Sequence, residues 1–130
     1  MVYDASIVLA SWLARHHSLA AGKTTIELGC GCGLVSMAAA QLGASFSLLT
    51  DRSVESLQAS EEGLRLNRIA EAKARTVHYS FGEPTDALLA EAGGAYDLVL
   101  VSDVIYANKA VDPLMETLEQ LLSVDAGHET

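Results

Sequence analysis

Residues 26 to 33 read Ile-Glu-Leu-Gly-Cys-Gly-Cys-Gly, and no other stretch constrains the architecture as tightly. Three glycines alternate with small residues. They directly follow the β-branched run Thr24-Thr25-Ile26 and lead, with no turn signal between, into the apolar segment Leu34 to Leu42. That layout predicts a strand feeding a tight glycine turn that opens a helix. Glycine suits the turn because a residue without Cβ lets the backbone bend sharply and approach a ligand closely. The carboxylate of Glu27, two residues before Gly29, would repel a phosphate and suits a ligand with a positive end.

The remainder of the chain alternates in the same way. Val8, Leu9, Trp12 and Leu13 fall on one face of a helix over Ser6 to His17, with Asp4 or Ser6 as its N-cap and Gly22 closing the region. Lys23 to Leu28 reads as strand one, and Leu34 to Leu42 as a helix stopped by Gly43. Ser45 to Thr50 reads as strand two, ending at Asp51. An amphipathic helix over Ser53 to Asn67 turns Val54, Leu57, Gly63 and Leu64 inward. Arg75 to Phe81 is strand three, Pro84 to Ala92 a short helix, and Gly93-Gly94 a turn. Tyr96 to Ile105 holds strand four, whose continuous apolar run is that of a strand buried on both faces. Pro113 to Leu122 is a last helix before a polar tail.

Strands alternating with helices predict an α/β fold with a doubly wound, mostly parallel sheet. Ligands of such sheets bind outside the carboxyl ends of the strands. Gly29 to Gly33, Asp51, Phe81 with Gly82, and Ser102 to Tyr106 all fall at such ends.

The 130 residues suffice for one domain with a core, and half of them are hydrophobic. No apolar run reaches the roughly 18 residues of a membrane span. With a net charge of −9 and scattered Lys and Arg, nucleic acid and membranes are not expected partners. A basic protein surface or a lysine side chain fits that field better. Cys30 and Cys32, at i and i+2, would make a strained disulfide and cannot complete a tetrahedral zinc site, so no metal is expected. Small-residue packing under the loop is the simpler reading, and reduced cysteines suit a cytoplasmic location.

Two nucleotide-cofactor classes share a glycine turn and an acid ending strand two. Asp51 lies 22 positions after Gly29, near the roughly 20 expected for a carboxylate gripping ribose hydroxyls, so it does not discriminate between them. The glycine register does. Counted from Gly29, a dinucleotide fingerprint needs a small residue where Leu34 stands; Gly31-x-Gly33-x-x-Ser36 is an imperfect match. Glu27-x-Gly29-x-Gly31-x-Gly33 instead resembles motif I of the seven-strand S-adenosylmethionine-dependent methyltransferases. The stretch Tyr96-Asp97-Leu98-Val99-Leu100-Val101-Ser102-Asp103-Val104-Ile105-Tyr106 resembles the protein-lysine methyltransferase branch, methyltransferase family 16. Val2-Tyr3-Asp4-Ala5-Ser6-Ile7-Val8-Leu9-Ala10 is similar to the helix entry of that branch, and Phe81-Gly82 stands where the branch has Trp-Gly.

The resemblance implies a Rossmann-like methyltransferase fold, S-adenosylmethionine as cofactor and a lysine of a protein as acceptor. It places Tyr3 near the cofactor, Gly29, Cys30 and Gly31 along its methionine part, and Asp51 on the ribose hydroxyls. Phe81 flanks the adenine and Ser102 sits under the ring; Glu27 belongs to the same shell. Asp103 and Tyr106 lie at the mouth that receives the lysine. Tyr3 and Phe81 replace tryptophans and Ser102 an alanine; Phe81 keeps a flat π-face but loses the indole donor.

Plainer roles stand beside these. Asp51 can be a turn or N-cap residue, Glu27 a partner of Lys23, Asp103 a helix cap, and Tyr106 and Phe81 packing. Trp12 reads as core, His16 and His17 as favourable ends of a helix dipole, and His78 carries no chemistry. The family's domain continues where this chain stops, so the last strands of the sheet are expected to be missing. An exposed edge open to self-association follows. A non-catalytic cofactor-binding or regulatory module is the alternative function.

Overall fold

The computed structural model describes residues 4–102 and 111–122. Four strands, β1 (Thr24–Leu28), β2 (Phe46–Asp51), β3 (Ala74–His78) and β4 (Leu98–Val101), form one sheet. Its order is β3-β2-β1-β4, and every pairing is parallel. The helices α1 (Asp4–Arg15), α2 (Leu34–Gln41), α3 (Val54–Leu66), α4 (Asp86–Ala92) and α5 (Val111–Leu121) alternate with them. A single 3-10 turn, His17–Leu19, joins α1 to β1.

Alternation along each strand divides the core. Ile26, Leu28, Phe46 and Leu48 pack on one side with Tyr79, Leu88, Tyr96, Leu114 and Leu121, the side of α4 and α5. On the other, Leu13 of α1, Val35 and Ala39 of α2 and Leu100 of β4 form one cluster. Leu49 of β2 with Leu57 and Leu64 of α3 forms a second. Helices therefore cover both faces, as the pattern of strands and helices predicted.

The winding fixes where a ligand can sit. From β1 the chain steps outward through α2, β2 and α3 to β3, then returns under the opposite face to place β4 beside β1. The helices that follow β1 and β4, α2 and α5, thus lie on opposite faces of the sheet. That is a topological switch point, and it opens a crevice beyond the carboxyl ends of those two strands. Among the described residues no helix is long and apolar enough to cross a membrane.

Three sequence expectations need correction. Strand four was expected to run from Tyr96 to Ile105. Regular pairing covers only Leu98–Val101, and Tyr96 makes an isolated bridge to Leu122. Among the described residues β4 pairs with β1 alone, and both its faces are covered as expected: Val99 and Val101 pack on the side of α4 and α5, Leu98 and Leu100 on that of α1 and α2. Residues 103–105 lie outside the described part. Val54 was expected to face inward and is 59% exposed: it opens α3, which meets the sheet only from Leu57 onward. Trp12 was expected in the core and is 41% exposed, because Leu13, one position further round α1, takes the inward direction. Trp12 instead stacks on His16, whose Nδ1 lies 2.8 Å from the Trp12 carbonyl.

The glycine turn is held by space as well as by dihedral. Gly33 has φ +84°, and a Cβ there would lie 2.8 Å from Leu49 Cδ2 and 3.0 Å from Ser60 Oγ. Gly22 has φ +74° but nothing within 4 Å. Gly33→Ala should therefore lower the unfolding free energy by about 2–4 kcal/mol, strain plus overpacking, and Gly22→Ala by only about 1–2 kcal/mol. Urea unfolding of the two variants, side by side, checks the difference.

Candidate functional site

The crevice is floored by the turn between β1 and α2. Gly29, Gly31 and Gly33 take φ +72°, +56° and +84°, which brings the chain from a buried strand into a helix within five residues. The Cys30 amide extends the strand ladder to the Thr50 carbonyl at 2.8 Å. At the end of β2, Asp51 reaches across to the same turn. Its Oδ2 accepts the Gly31 amide at 3.0 Å and its Oδ1 accepts the Ser53 amide at 2.9 Å. Each carboxylate oxygen can accept more than one hydrogen bond, so both keep capacity for a ligand's hydroxyls. The cap of α3 itself is Ser53, whose Oγ accepts the Ser56 amide. Asp51 is therefore a brace between the turn and the start of α3; its plainer role as a turn residue is seen, and the N-cap role falls to Ser53 instead.

Glu27 does not pair with Lys23. Its side chain is buried, and Oε1 accepts both the amide and the hydroxyl of Ser36, at 3.2 and 2.8 Å. Ser36 is the third residue of α2, whose N-cap, Gly33, has no side chain to offer. Glu27 thus caps α2 from the neighbouring strand, a role that otherwise falls to Ser, Thr, Asp or Asn at the cap itself. Burial pushes the Glu27 carboxyl up to about 8; the Ser36 hydrogen bonds pull it down, and the Asp51 charge adds to the rise. Burial also pushes the Cys30 thiol up to about 12, so it stays protonated and is no nucleophile at neutral pH. Its side chain packs with Leu49, Leu57 and Leu64, as the small-residue reading expected.

Phe81 follows β3 in a loop tied to α5, where the Gly82 amide and the Tyr79 hydroxyl both reach Thr117 Oγ1. The ring is partly buried against the Tyr79 and Leu88 cluster, so packing and a surface for a flat ligand are both open to it. Ser102 follows β4, with its Oγ 3.2 Å from Ser6 Oγ of α1. Ala5, Val8, Leu9, Trp12, Val101 and Ser102 line a shallow depression there. The turn, Asp51 and Ser102 thus share the carboxyl end of the sheet. Tyr3, Asp103 and Tyr106 lie outside the described residues.

Residues 1–127 match the lysine methyltransferase family. The chain belongs to that family. It is 38% identical over 130 residues to the protein N-lysine methyltransferase METTL21A of Danio rerio, an alignment covering 96% of this chain and 56% of that protein. The chain therefore spans a little over half the length of that relative. Among solved structures it resembles the ribosomal protein L11 methylase of Lactobacillus delbrueckii subsp. bulgaricus, at TM-score 0.70 and 27% identity. That match covers 95% of this chain and 57% of the other. The magnesium protoporphyrin IX methyltransferase of Synechocystis PCC 6803, solved with bound SAM, shares the fold at TM-score 0.70 and 21% identity, over 91% of this chain and 53% of its own.

The structural roles of two polar residues of this family member, Ser36 and Ser60, escaped the sequence reading. Both are fully buried on helix faces that otherwise point apolar side chains at the sheet. A hydroxyl in an apolar stripe was the available signal.

Glu27 makes stability depend on pH with a definite sign. Its folded value, about 8, lies above the ordinary 4.5, so between them the folded protein binds more protons than the unfolded chain. The stabilisation is complete below the lower value, falls as pH rises through the window and is gone above the upper one. Urea unfolding from pH 5 to 8.5 should show a decline on the order of a few kcal/mol, and Glu27→Gln should flatten it. A variant as steep as the wild type would mean that the carboxyl is already ionised in the folded protein.

Proposed function

We propose that the chain carries the S-adenosylmethionine site of a methyltransferase that modifies a lysine of a protein substrate. The observation that carries this reading is the bridge from Asp51 Oδ2 to the Gly31 amide at the switch point. It sets a carboxylate and a side-chain-free turn together at the carboxyl end of the sheet. Membership of the lysine methyltransferase family and the METTL21A relative support the same reaction class and acceptor.

The residues present fit such a cofactor. A Cβ at Gly31 would meet nothing within 4 Å, so the crest of the turn faces open space. Asp51 has lone pairs left for the ribose hydroxyls, and Gly29, Cys30 and Gly31 offer backbone along the methionine part. Glu27 supplies an acid beneath the turn, where a cationic ligand would draw off its proton. Phe81 offers a ring face to the adenine; Ser102, with Tyr3, belongs to the same shell. When bound, S-adenosylmethionine supplies an electrophilic methyl group on a sulfonium. The acceptor amine must be neutral, although a free lysine titrates near about 10.4. Asp103 and Tyr106 are assigned to orient that amine and accept its hydrogen bonds. Positioning carries most of the acceleration, since effective molarities can supply roughly 7–11 kcal/mol. No acid–base dyad is required.

The reading includes a cytoplasmic location, supported by the free Cys30 and Cys32, and self-association through the side of β4 that has no partner strand among the described residues. One domain holding the cofactor cleft is likewise part of it.

Titration calorimetry tests the cofactor site. Asp51→Ala should weaken S-adenosylmethionine binding by about 1.5–3 kcal/mol, roughly 10- to 150-fold, and undiminished affinity would remove Asp51 from the site. Transfer of a labelled methyl group to lysate proteins, lost in Asp103→Ala, tests catalysis. Binding without transfer would instead favour a non-catalytic cofactor-binding or regulatory module.

A further inference from the structure

Ser60 stands on the inner stripe of α3, between Leu57 and Leu64, and is fully buried. Alanine there would have higher helix propensity and no polar atom to desolvate. The hydroxyl therefore needs a partner that repays its burial, and the geometry supplies one. Ser60 Oγ donates to the Gly31 carbonyl at 2.7 Å and lies 3.4 Å from Cys30 Sγ. From the other side the Gly31 amide donates to Asp51 Oδ2 at 3.0 Å. The N–H and the C=O of one residue are thus held by two different elements, α3 and β2. Gly33 leaves the room this requires, since a Cβ there would lie 3.0 Å from Ser60 Oγ.

We propose that Ser60 is a positioning residue for cofactor binding: it holds the Gly31–Cys32 peptide, which fixes the dihedrals of Gly31 and through them the Cys30–Gly31 amide that orients the Asp51 carboxylate. The proposal rests on the S-adenosylmethionine reading above. Gly31 needs such a lock more than other residues would. Without Cβ it samples both signs of φ in an unrestrained loop. A turn that must be ordered at the moment of binding charges that entropy to the ligand's affinity. Clamped at both ends, the turn is already in its binding form.

Ser60→Ala should fold, because the gain in helix propensity offsets much of the lost hydrogen bond. Its thermal midpoint should stay within a few degrees of wild type. Amide exchange at Gly31 in the ligand-free protein should accelerate about tenfold, with the amides of β1 and β2 unchanged. The dissociation constant for S-adenosylhomocysteine, read by calorimetry, should rise about tenfold. Unchanged exchange at Gly31 would overturn the proposal without reference to any ligand. Faster exchange with equal affinity in the two proteins would overturn the role of Ser60 and leave the cofactor reading standing. A wild-type protein that fails to bind S-adenosylhomocysteine would overturn the cofactor reading itself, and this proposal with it.

Discussion

A parallel strand buried in a sheet and a helix that packs back onto it are joined here by five residues, and the backbone must enter the left-handed region three times to do so. Gly29, Gly31 and Gly33 meet that demand at φ +72°, +56° and +84°. The rest of the molecule is arranged around the turn they make. It leaves a helix without a capping side chain, and Glu27 fills that gap from β1. It exposes an amide and a carbonyl at its crest, and Asp51 and Ser60 take them. Thr50 donates to the Glu27 carbonyl, tying β2 to β1 just below. Among the described residues no buried side-chain nitrogen or oxygen lacks a partner. That matters here because the polar groups lie in the floor of the crevice, where an unsatisfied one costs about 1–3 kcal/mol.

The Glu27 carboxyl has two demands placed on it. As a cap it is best ionised, since the amino end of a helix favours negative charge. As a buried acid near Asp51 it is best neutral, and burial dominates. A turn built over such a group is sensitive to any cation that arrives above it. The acid before the first glycine is therefore a structural cap whose ionisation a cation above it would favour and a phosphate would oppose.

The strands, their parallel direction and the turn were legible because glycine and β-branched residues punctuate the sequence where backbone sterics require them. Gly22, Gly29 to Gly33, Gly43, Gly82 and Gly93 stand close to element ends, within a residue or a few of each. Asp51 was legible by its place at the end of β2. The partner of Glu27 was not, because strand alternation says only that Glu27 faces away from Ile26 and Leu28. Which helix covers that face, and that its third residue carries a hydroxyl, is a tertiary fact. Ser60 was hidden for a similar reason: helical periodicity marks its position as inward, and the residue type then argued against it. Val54 and Trp12 were misjudged by the same periodicity, which gives the direction of a face but not where along the helix contact with the sheet begins. Asp103, Tyr106 and Tyr3 rest on the family resemblance and on sequence position alone.

That the crevice takes a sulfonium nucleotide rather than a dinucleotide is tested most directly by equilibrium unfolding with each ligand. At a free concentration 100 times its dissociation constant, a ligand that binds only the folded protein adds about 2.7 kcal/mol of stability. S-adenosylmethionine, at 100 times the dissociation constant read by calorimetry, should give a gain of that size over the ligand-free protein, and NAD at the same concentration should give none. Stabilisation by NAD, with none from S-adenosylmethionine, would contradict the reading of the Glu27 to Gly33 turn as a methyl-donor site.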